Sequence, residues 1–312
     1  MCLGAGAKGM DISIVIVNWN TRALLLDCLA SVYATVMKLS FEVFLVDNAS
    51  SDDSVAAVRA EYPRVKVIQN EKNLGFAAAN NKALRIMQGK YALLLNTDTV
   101  LTEGAITRLF VYLESHEEAG MACGQLLNAD GTKQNSIANF PSLLTLIGNE
   151  TLLRILLPKR FPSKRQEYVG PIQVESCIGA CLMVRKTAMD AVGLLDERYF
   201  FFMEETDWAR AMSKAGWQSR FVPDAKIYHL QGQSAGDNVE ARKMFYRARY
   251  QYLRKWFPRT WPLHALLLVM RLVINVLLNG LGLLITLGLH EGMRGRLILY
   301  LHLLSWHFRG SP

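Results

Sequence analysis

Four short apolar runs, each followed closely by polar residues, set the terms on which this chain can fold. They are Ile12–Val17, Glu42–Val46, Val65–Ile68 and Tyr91–Leu95. Each is too short for a core helix, most are rich in β-branched residues, and all read as buried strands. Helical periodicity fills the gaps between them. Thr21 is placed to cap the first helix, whose apolar face includes Leu25, Leu29 and Val32, and Ser51 or Asp52 opens the second. A third spans about Phe76 to Met87. Strand and helix in alternation predict an α/β fold, a mostly parallel sheet covered by helices on both faces. In such sheets ligands bind just beyond the strand C-termini. Asn18, Asp47, Asn70 and Asn96 to Asp98 sit at those ends.

The pattern then loosens. Asn128 to Pro171 gives no clear periodicity, and Pro158, Lys159, Arg160, Pro162, Lys164 and Arg165 read as an exposed basic loop. A strand is expected over Ile178–Val184, a polar helix over Glu204–Lys214 and a strand over Gln218–Val222. Five cysteines, odd in number and without a CxxC pair, argue against a disulfide framework and for a reducing compartment. Cys177 and Cys181 alternate with apolar residues and are expected to pack in the core. Met1 to Met10 has no apolar run, so no secretory signal is expected there.

Charge divides the chain. The net charge is +8, yet from Glu240 onward eleven Lys/Arg face two Asp/Glu, so everything before nets about −1. A basic tail suits nucleic acid or anionic lipid. Its apolar company selects lipid: Leu272–Leu289 is eighteen residues without a charge, near the roughly 20 that span a bilayer. His264, Arg271, Asn275, Asn279, Gly282 and Thr286 follow one another at helical spacings and form one polar stripe. That stripe fits a helix lying in the interface, or half of a hairpin, better than a lone span. Trp256, Trp261 and Trp306 flank the segment as interfacial aromatics do. Basic residues on both sides fit entry and exit at the cytoplasmic face. The expected division is a catalytic domain over 1–240 and a membrane-association segment over 241–312, with no nucleic-acid partner.

Five patterns could carry chemistry. Asn96-Thr-Asp98 is a simple turn or a seat for a divalent cation carrying a diphosphate. Asp47, with Asn48 and Ser50 to Asp53, caps a helix or accepts hydrogen bonds from a pyrimidine base. Asn73-Leu-Gly-Phe-Ala-Ala-Ala-Asn-Asn81 offers Gly75 for close backbone approach and a helix N-terminus for phosphate. Phe200-Phe-Phe-Met-Glu-Glu-Thr-Asp-Trp208 drives three aromatics into Glu204, Glu205 and Asp207. Crowded acids beside apolar surface raise one another's pKa, which suits a general base. A lone His229 is structural or a ligand.

Taken in order, these segments resemble the family 2 glycosyltransferases of the GT-A fold, especially the bacterial rhamnosyltransferase-like branch. Ser13-Ile-Val-Ile-Val-Asn-Trp-Asn20 is similar to that family's first strand, and Val46-Asp-Asn-Ala-Ser-Ser51 to its base-binding turn. Asn73-Leu-Gly-Phe76 with Asn80 is similar to its sugar-nucleotide loop, and Leu94-Leu-Asn-Thr-Asp98 to its metal motif. Ile178-Gly-Ala-Cys-Leu-Met-Val-Arg185 is similar to its central strand, Glu204-Glu-Thr-Asp207 to its catalytic acids, and His229 to its late histidine. The match runs from about residue 12 to 234. The resemblance implies a metal-dependent inverting hexosyltransferase. Asp98 and His229 would hold Mg²⁺ or Mn²⁺. Asn18, Asn20, Asp47, Asn48, Asn73, Gly75, Phe76, Asn80 and Asn96 would line the nucleotide-sugar donor site. Glu205 would act as base, with Glu204 and Asp207 beside it. It further implies dTDP-rhamnose as donor, with a UDP-sugar as the alternative, and a saccharide or lipid-linked saccharide as acceptor in cell-surface polysaccharide synthesis. Asn96 departs from the usual Asp, Glu205 stands where many members have Asp, and Gln231-Gly-Gln replaces a glycine-rich run. A processive synthase of the same fold would be expected to carry Gln-x-x-Arg-Trp, but Gln251-Tyr-Leu-Arg-Lys-Trp256 has one residue too many. A non-catalytic sugar-nucleotide-binding protein would be expected to have lost the acids.

Overall fold

The computed structural model describes residues 9–36, 38–148, 150–158, 160–162, 166–230 and 239–310. Its elements run β1 (Ile12–Asn18), α1 (Arg22–Thr35), β2 (Phe41–Asp47), α2 (Ser54–Glu61), β3 (Lys66–Gln69), α3 (Phe76–Leu84), β4 (Tyr91–Asn96), β5 (Thr99–Leu101), α4 (Ala105–Ser115) and β6 (Ala119–Leu127). There follow β7 (Ile137–Ala138), α5 (Leu143–Ile147), α6 (Glu150–Leu156), β8 (Ile172–Val174), β9 (Ser176–Cys177), β10 (Cys181–Arg185), α7 (Lys186–Val192), α8 (Glu204–Lys214), β11 (Gln218–His229), α9 (Val239–Trp256), α10 (Trp261–Ile285) and α11 (Glu291–Phe308).

Nine strands form one sheet in the order β3-β2-β1-β4-β10-β6-β11-β5, with β8 beside β11. The first four are mutually parallel. Beyond β4 the sheet turns mixed, because β10 runs antiparallel to both β4 and β6. Ile12, Ile14, Ile16, Leu45 and Leu93 are fully buried among Leu25, Leu29 and Val32 of α1, as the sequence periodicity requires. Each such side chain contributes roughly 1.5–3 kcal/mol by leaving water.

Several expectations are corrected. Thr21 makes no capping bond to α1. Asp52 takes that place, its Oδ2 accepting from Arg22 N at 2.8 Å, while its Oδ1 accepts from Ser54 N at the start of α2. The strand expected over Ile178–Val184 begins only at Cys181, because Gly179 and Ala180 form a turn. Cys177 and Cys181 therefore lie on different strands, both buried as core residues. The strand from Gln218 continues past a bulge to His229, and α3 stops at Leu84. Residues 143–147 and 150–156 are helical where no pattern was legible. Within the basic loop, Lys159, Lys164 and Arg165 lie outside the described residues, as do Met1–Lys8 and Gln231–Ser234.

The chain divides into two compact units. One holds the sheet and comprises Met1–Asn139, Pro162–Phe200 and Glu204–Ser234. The other comprises Phe140–Phe161, Phe201–Met203 and Ala235–Pro312. In the second, α10 and α11 form a hairpin: Leu272 packs with Leu303 and Leu304, and a Cβ on Gly282 would lie 2.6 Å from Met293 Sδ. The polar stripe is only partly turned inward. His264 is buried and stacked on Phe257, Asn275, Asn279, Gly282 and Thr286 are half-buried, and Arg271 is exposed. Asn279 and Thr286 donate back to carbonyls of their own helix. The apolar side faces out instead, with Leu266, Leu277, Leu278, Leu281 and Leu284 exposed. Among the described residues α10, 25 residues long, is the one helix long and apolar enough to cross a membrane.

Candidate active site

Three groups of side chains gather where β1, β2 and β4 end. The first is built on the two strand-end residues Asn18 and Asp47, which pair in register. Asn18 Nδ2 donates to Asp47 Oδ1 at 3.0 Å and to Ser50 Oγ at 2.9 Å, and Ser50 N donates to Asp47 Oδ2 at 3.0 Å. Asn20 closes the turn: its Oδ1 accepts from Ser51 N at 2.7 Å and its N donates to Ser50 Oγ. Asn20 and Ala49 both hold positive φ, a conformation retained where surroundings over-determine it.

Asn48 ties this turn to the loop before α3. Its Nδ2 donates to Gly75 O at 3.3 Å, and its Oδ1 accepts from Asn70 Nδ2 at 2.8 Å. Asn73 Oδ1 accepts from Gly75 N at 2.9 Å, and Asn80 Nδ2 donates to Phe76 O at 2.9 Å. Gly75 does allow close backbone approach, but the neighbour is the chain itself. At φ +81°, an added Cβ would stand 2.3 Å from Phe200 O, to which Phe76 N donates at 2.7 Å. The glycine thus fixes the run that leads to the acids.

The second group explains why Asp98 and His229, 131 positions apart, come together. After Asp98 the chain enters β5, which pairs antiparallel with the end of β11, setting Thr99 opposite His229. Leu230 N donates to Asp98 O at 2.8 Å. His229 Nε2 then lies 3.3 Å from Asp98 Oδ1, both side chains buried. On its other side His229 Nδ1 meets Gln134 Oε1 at 2.6 Å, while Gln134 Nε2 donates to His229 O at 3.0 Å. An amide oxygen only accepts, so Nδ1 carries a proton, and the neutral ring would present a lone pair at Nε2 beside the carboxylate. A lone pair and a carboxylate oxygen 3.3 Å apart are a donor set for a hard divalent cation, whose remaining positions phosphate oxygens and water can fill. The residues fit such a cation, although no cluster of three His, Cys, Asp or Glu occurs among the described residues. Asn96 closes β4, its N donating to Ala180 O at 2.9 Å.

The third group opens α8. Phe202 and Met203 both adopt φ of +71° just before Glu204, a strained entry at consecutive non-glycine residues. Glu204 is buried with its Oε2 unpartnered. Desolvation and the neighbouring Glu205 charge hold its carboxyl well above the ordinary range. Glu205 is less enclosed and rests against Gly179, whose Cβ would be 3.6 Å from its Cγ. Burial pushes its pKa up to about 7. Asp207 is buried and accepts from Tyr199 Oη at 3.2 Å.

Two functional-looking residues escaped sequence reading. Gln134 sits in the illegible stretch, yet Asp130-Gly131 is a hairpin-turn signal that returns the chain beside β6. Thr21 joins the first two groups, its Oγ1 lying 2.7 Å from Asn18 Oδ1 and 2.9 Å from Thr97 Oγ1.

Comparison with known proteins decides what this arrangement is. Residues 13–193 match the family described as Glycosyl transferase family 2. The chain belongs to this family. The transferase is 30% identical over 245 residues to the N-acetylglucosaminyl-diphospho-decaprenol L-rhamnosyltransferase of Mycobacterium tuberculosis, covering 72% of this chain and 80% of that protein. Its fold is that of the GT-A enzymes. The mannosyltransferase PcManGT from Pyrobaculum calidifontis, solved with GDP-Man and Mn2+, superposes with a TM-score of 0.60 at 13% identity, over 97% of this chain and 87% of that one. GalNAc-T7, solved with UDP, GalNAc and Mn2+, superposes with a TM-score of 0.56 at 16% identity, over 78% of this chain and 48% of that one.

Proposed function

We propose that this glycosyltransferase moves rhamnose from dTDP-rhamnose, with inversion, to a lipid-linked saccharide during cell-surface polysaccharide synthesis. The observation that carries the chemistry is Glu205, a partly enclosed carboxylate poised near neutrality beside the more deeply buried Glu204. A base works best with a pKa near the working pH. Glu205 takes the proton of the acceptor hydroxyl as that oxygen attacks the anomeric carbon, and the nucleoside diphosphate leaves. Glu204, whose carboxyl burial and the Glu205 charge hold well above the ordinary range, lies beside it. Asp47 and Asn18 hold the base of the nucleotide, and Asn48, Asn73, Gly75, Phe76 and Asn80 shape the donor loop. Asp98 and His229, with Asn96 nearby, hold Mg²⁺ or Mn²⁺, which when bound offsets the charge of the departing diphosphate. Catalysis resides in residues 1–240.

Residues 241–312 attach the enzyme to the cytoplasmic face of a membrane. The exposed apolar side of α10 supports this, as do the cations stacked on its flanking aromatics: Arg254 over Trp261 at 4.7 Å, Lys255 over Trp256 at 5.2 Å and Arg247 over Trp306 at 5.5 Å. Such pairs belong at a headgroup layer. Arg294 and Arg296, near the hairpin tip, favour a shallow seat over a span.

The decisive experiment is transfer from dTDP-rhamnose and from UDP-sugars to a lipid-linked N-acetylglucosamine, with and without Mn²⁺. Rhamnosyl transfer to that lipid is expected. Transfer from a UDP-sugar instead would keep the enzyme and replace the donor.

A further inference from the structure

The second unit carries a cation whose inner nitrogen its own fold leaves without an acceptor. Arg249 lies on α9 with its Nε buried and without a hydrogen-bond partner. Among the described residues no carboxylate pairs with it, and its Cζ lies 6.0 Å from the Phe245 ring centroid. Burial pushes its pKa down to about 10, and the nearby charge of Arg271 adds to that. It remains charged at neutral pH.

Further cations and phenols lie beside it. Arg242, Tyr246 and Arg249 recur at helical spacing on one side of α9. Arg271 arrives from α10, oriented by Nη1 donating to Thr145 O at 3.3 Å and Leu146 O at 3.2 Å. Tyr246 feels the charges of Arg249, Arg271 and Arg242, and it packs with Tyr300 on the cluster of Leu272, Leu303 and Leu304. Helices α9 to α11 contain two acids. Glu240 is taken by Lys243 at 2.6 Å, and Glu291 lies about 13 Å along its helix from Tyr300.

Enclosing even one nitrogen of a guanidinium without an acceptor is unfavourable, and a fold retains such a group when something else supplies the anion. Guanidinium forks and phenol hydroxyls match phosphate oxygens. The anion is also placed among hydrocarbon, since Met270 and Ile274, on either side of Arg271 in sequence, are exposed. A phosphate on a long apolar chain satisfies both conditions. We propose that Arg249 and Arg271, with Arg242, Tyr246 and Tyr300, bind the diphosphate of a lipid-linked acceptor. The proposal rests on the acceptor class argued above and adds the residues that recognise it.

The test uses full-length protein in phosphatidylcholine nanodiscs, with and without an isoprenyl diphosphate, and compares wild type with Arg249→Met and Arg271→Met. The isoprenyl diphosphate is expected to raise the wild-type Tm. Arg249→Met is expected to raise the Tm of the unliganded protein, because it removes an uncompensated charge. The same variant should weaken isoprenyl diphosphate binding at least tenfold while leaving dTDP-rhamnose affinity unchanged, and Arg271→Met should weaken the lipid likewise. A structural arginine would do the reverse: Arg249→Met would lower the Tm and spare lipid affinity, overturning the proposal. Equal binding of inorganic pyrophosphate would assign the site to free phosphates and overturn the lipid source. Equal binding of phosphatidylglycerol nanodiscs would reduce it to headgroup attraction and overturn acceptor recognition. Arginine-dependent isoprenyl diphosphate binding without any transfer to lipid-linked sugar would uphold the site and fail only the broader functional reading.

Discussion

Asp47 and Glu205 are two carboxylates serving one sheet, and their neighbours divide the work between them. Asp47 ends a strand, and both of its oxygens accept bonds from Asn18 and Ser50. It is a fixed acceptor with a set direction. Glu205 begins a helix behind a strained turn, rests on a glycine, and is pushed by burial toward neutrality. On the reading proposed above, the carboxylate held by donors recognises the nucleobase, and the one whose charge burial makes costly takes the proton. Supply or denial of hydrogen-bond donors separates the two roles.

The sharpest way to break that contrast is Glu205→Gln. It should lower turnover by roughly 10²–10⁴-fold and leave donor affinity within a few-fold of wild type. Turnover close to wild type would pass the base role to Glu204 or Asp207. Next in size, Asp98→Ala should remove the Mn²⁺ dependence of donor binding, and His229→Ala should weaken it less, since the carboxylate bears the charge. Titration of Mn²⁺ against each variant with donor present reads this directly, and unchanged metal dependence in Asp98→Ala would move the cation elsewhere.

The raised Glu205 pKa has a second signature. A carboxyl that titrates near 7 when folded and 4.5 when unfolded favours the folded state below pH 4.5, and that advantage is lost as pH rises through 7. Glu205→Gln should therefore be more stable than wild type at pH 8, by on the order of 2–3 kcal/mol. The gap should close near pH 4. Thermal unfolding at both pH values decides it. In the active enzyme the rate should fall as pH drops below about 7, when the base is protonated. The smallest effect concerns Gly75→Ala, whose Cβ meets Phe200 O. It should cost about 1–3 kcal/mol of stability and reduce turnover more than donor affinity, because it displaces the run leading to Glu205.

Legibility in the sequence followed how local each constraint is. The four parallel strands and the start of α8 were readable because burial pattern and acidic start are local signals. The meeting of Asp98 and His229 was not readable from spacing; resemblance to the family implied it, and β5 pairing with the end of β11 explains it. Gln134 was hidden for the same reason, although its Asp130-Gly131 turn was visible. Thr21 was assigned to a cap because caps are common, yet Asp52, distant in sequence, reached that helix first. The polar stripe on α10 was seen, and a hairpin was one of its two readings. Sequence could not say that the apolar side would remain uncovered.

Thr21 has one proton to give and two oxygens within reach. If it donates to Asn18 Oδ1, Thr97 Oγ1 must donate to it, and Asn18 Nδ2 continues the series to Asp47. The result is a directed wire of dipoles from the Asn96-Thr97-Asp98 turn to Asp47, the proposed seats of cation and nucleobase. Charge placed at one end polarises each link in turn. By reciprocity, whatever the cation adds to nucleotide affinity the nucleotide adds to cation affinity. If the proposed seats are right, the enzyme collects its nucleotide and its cation as one unit.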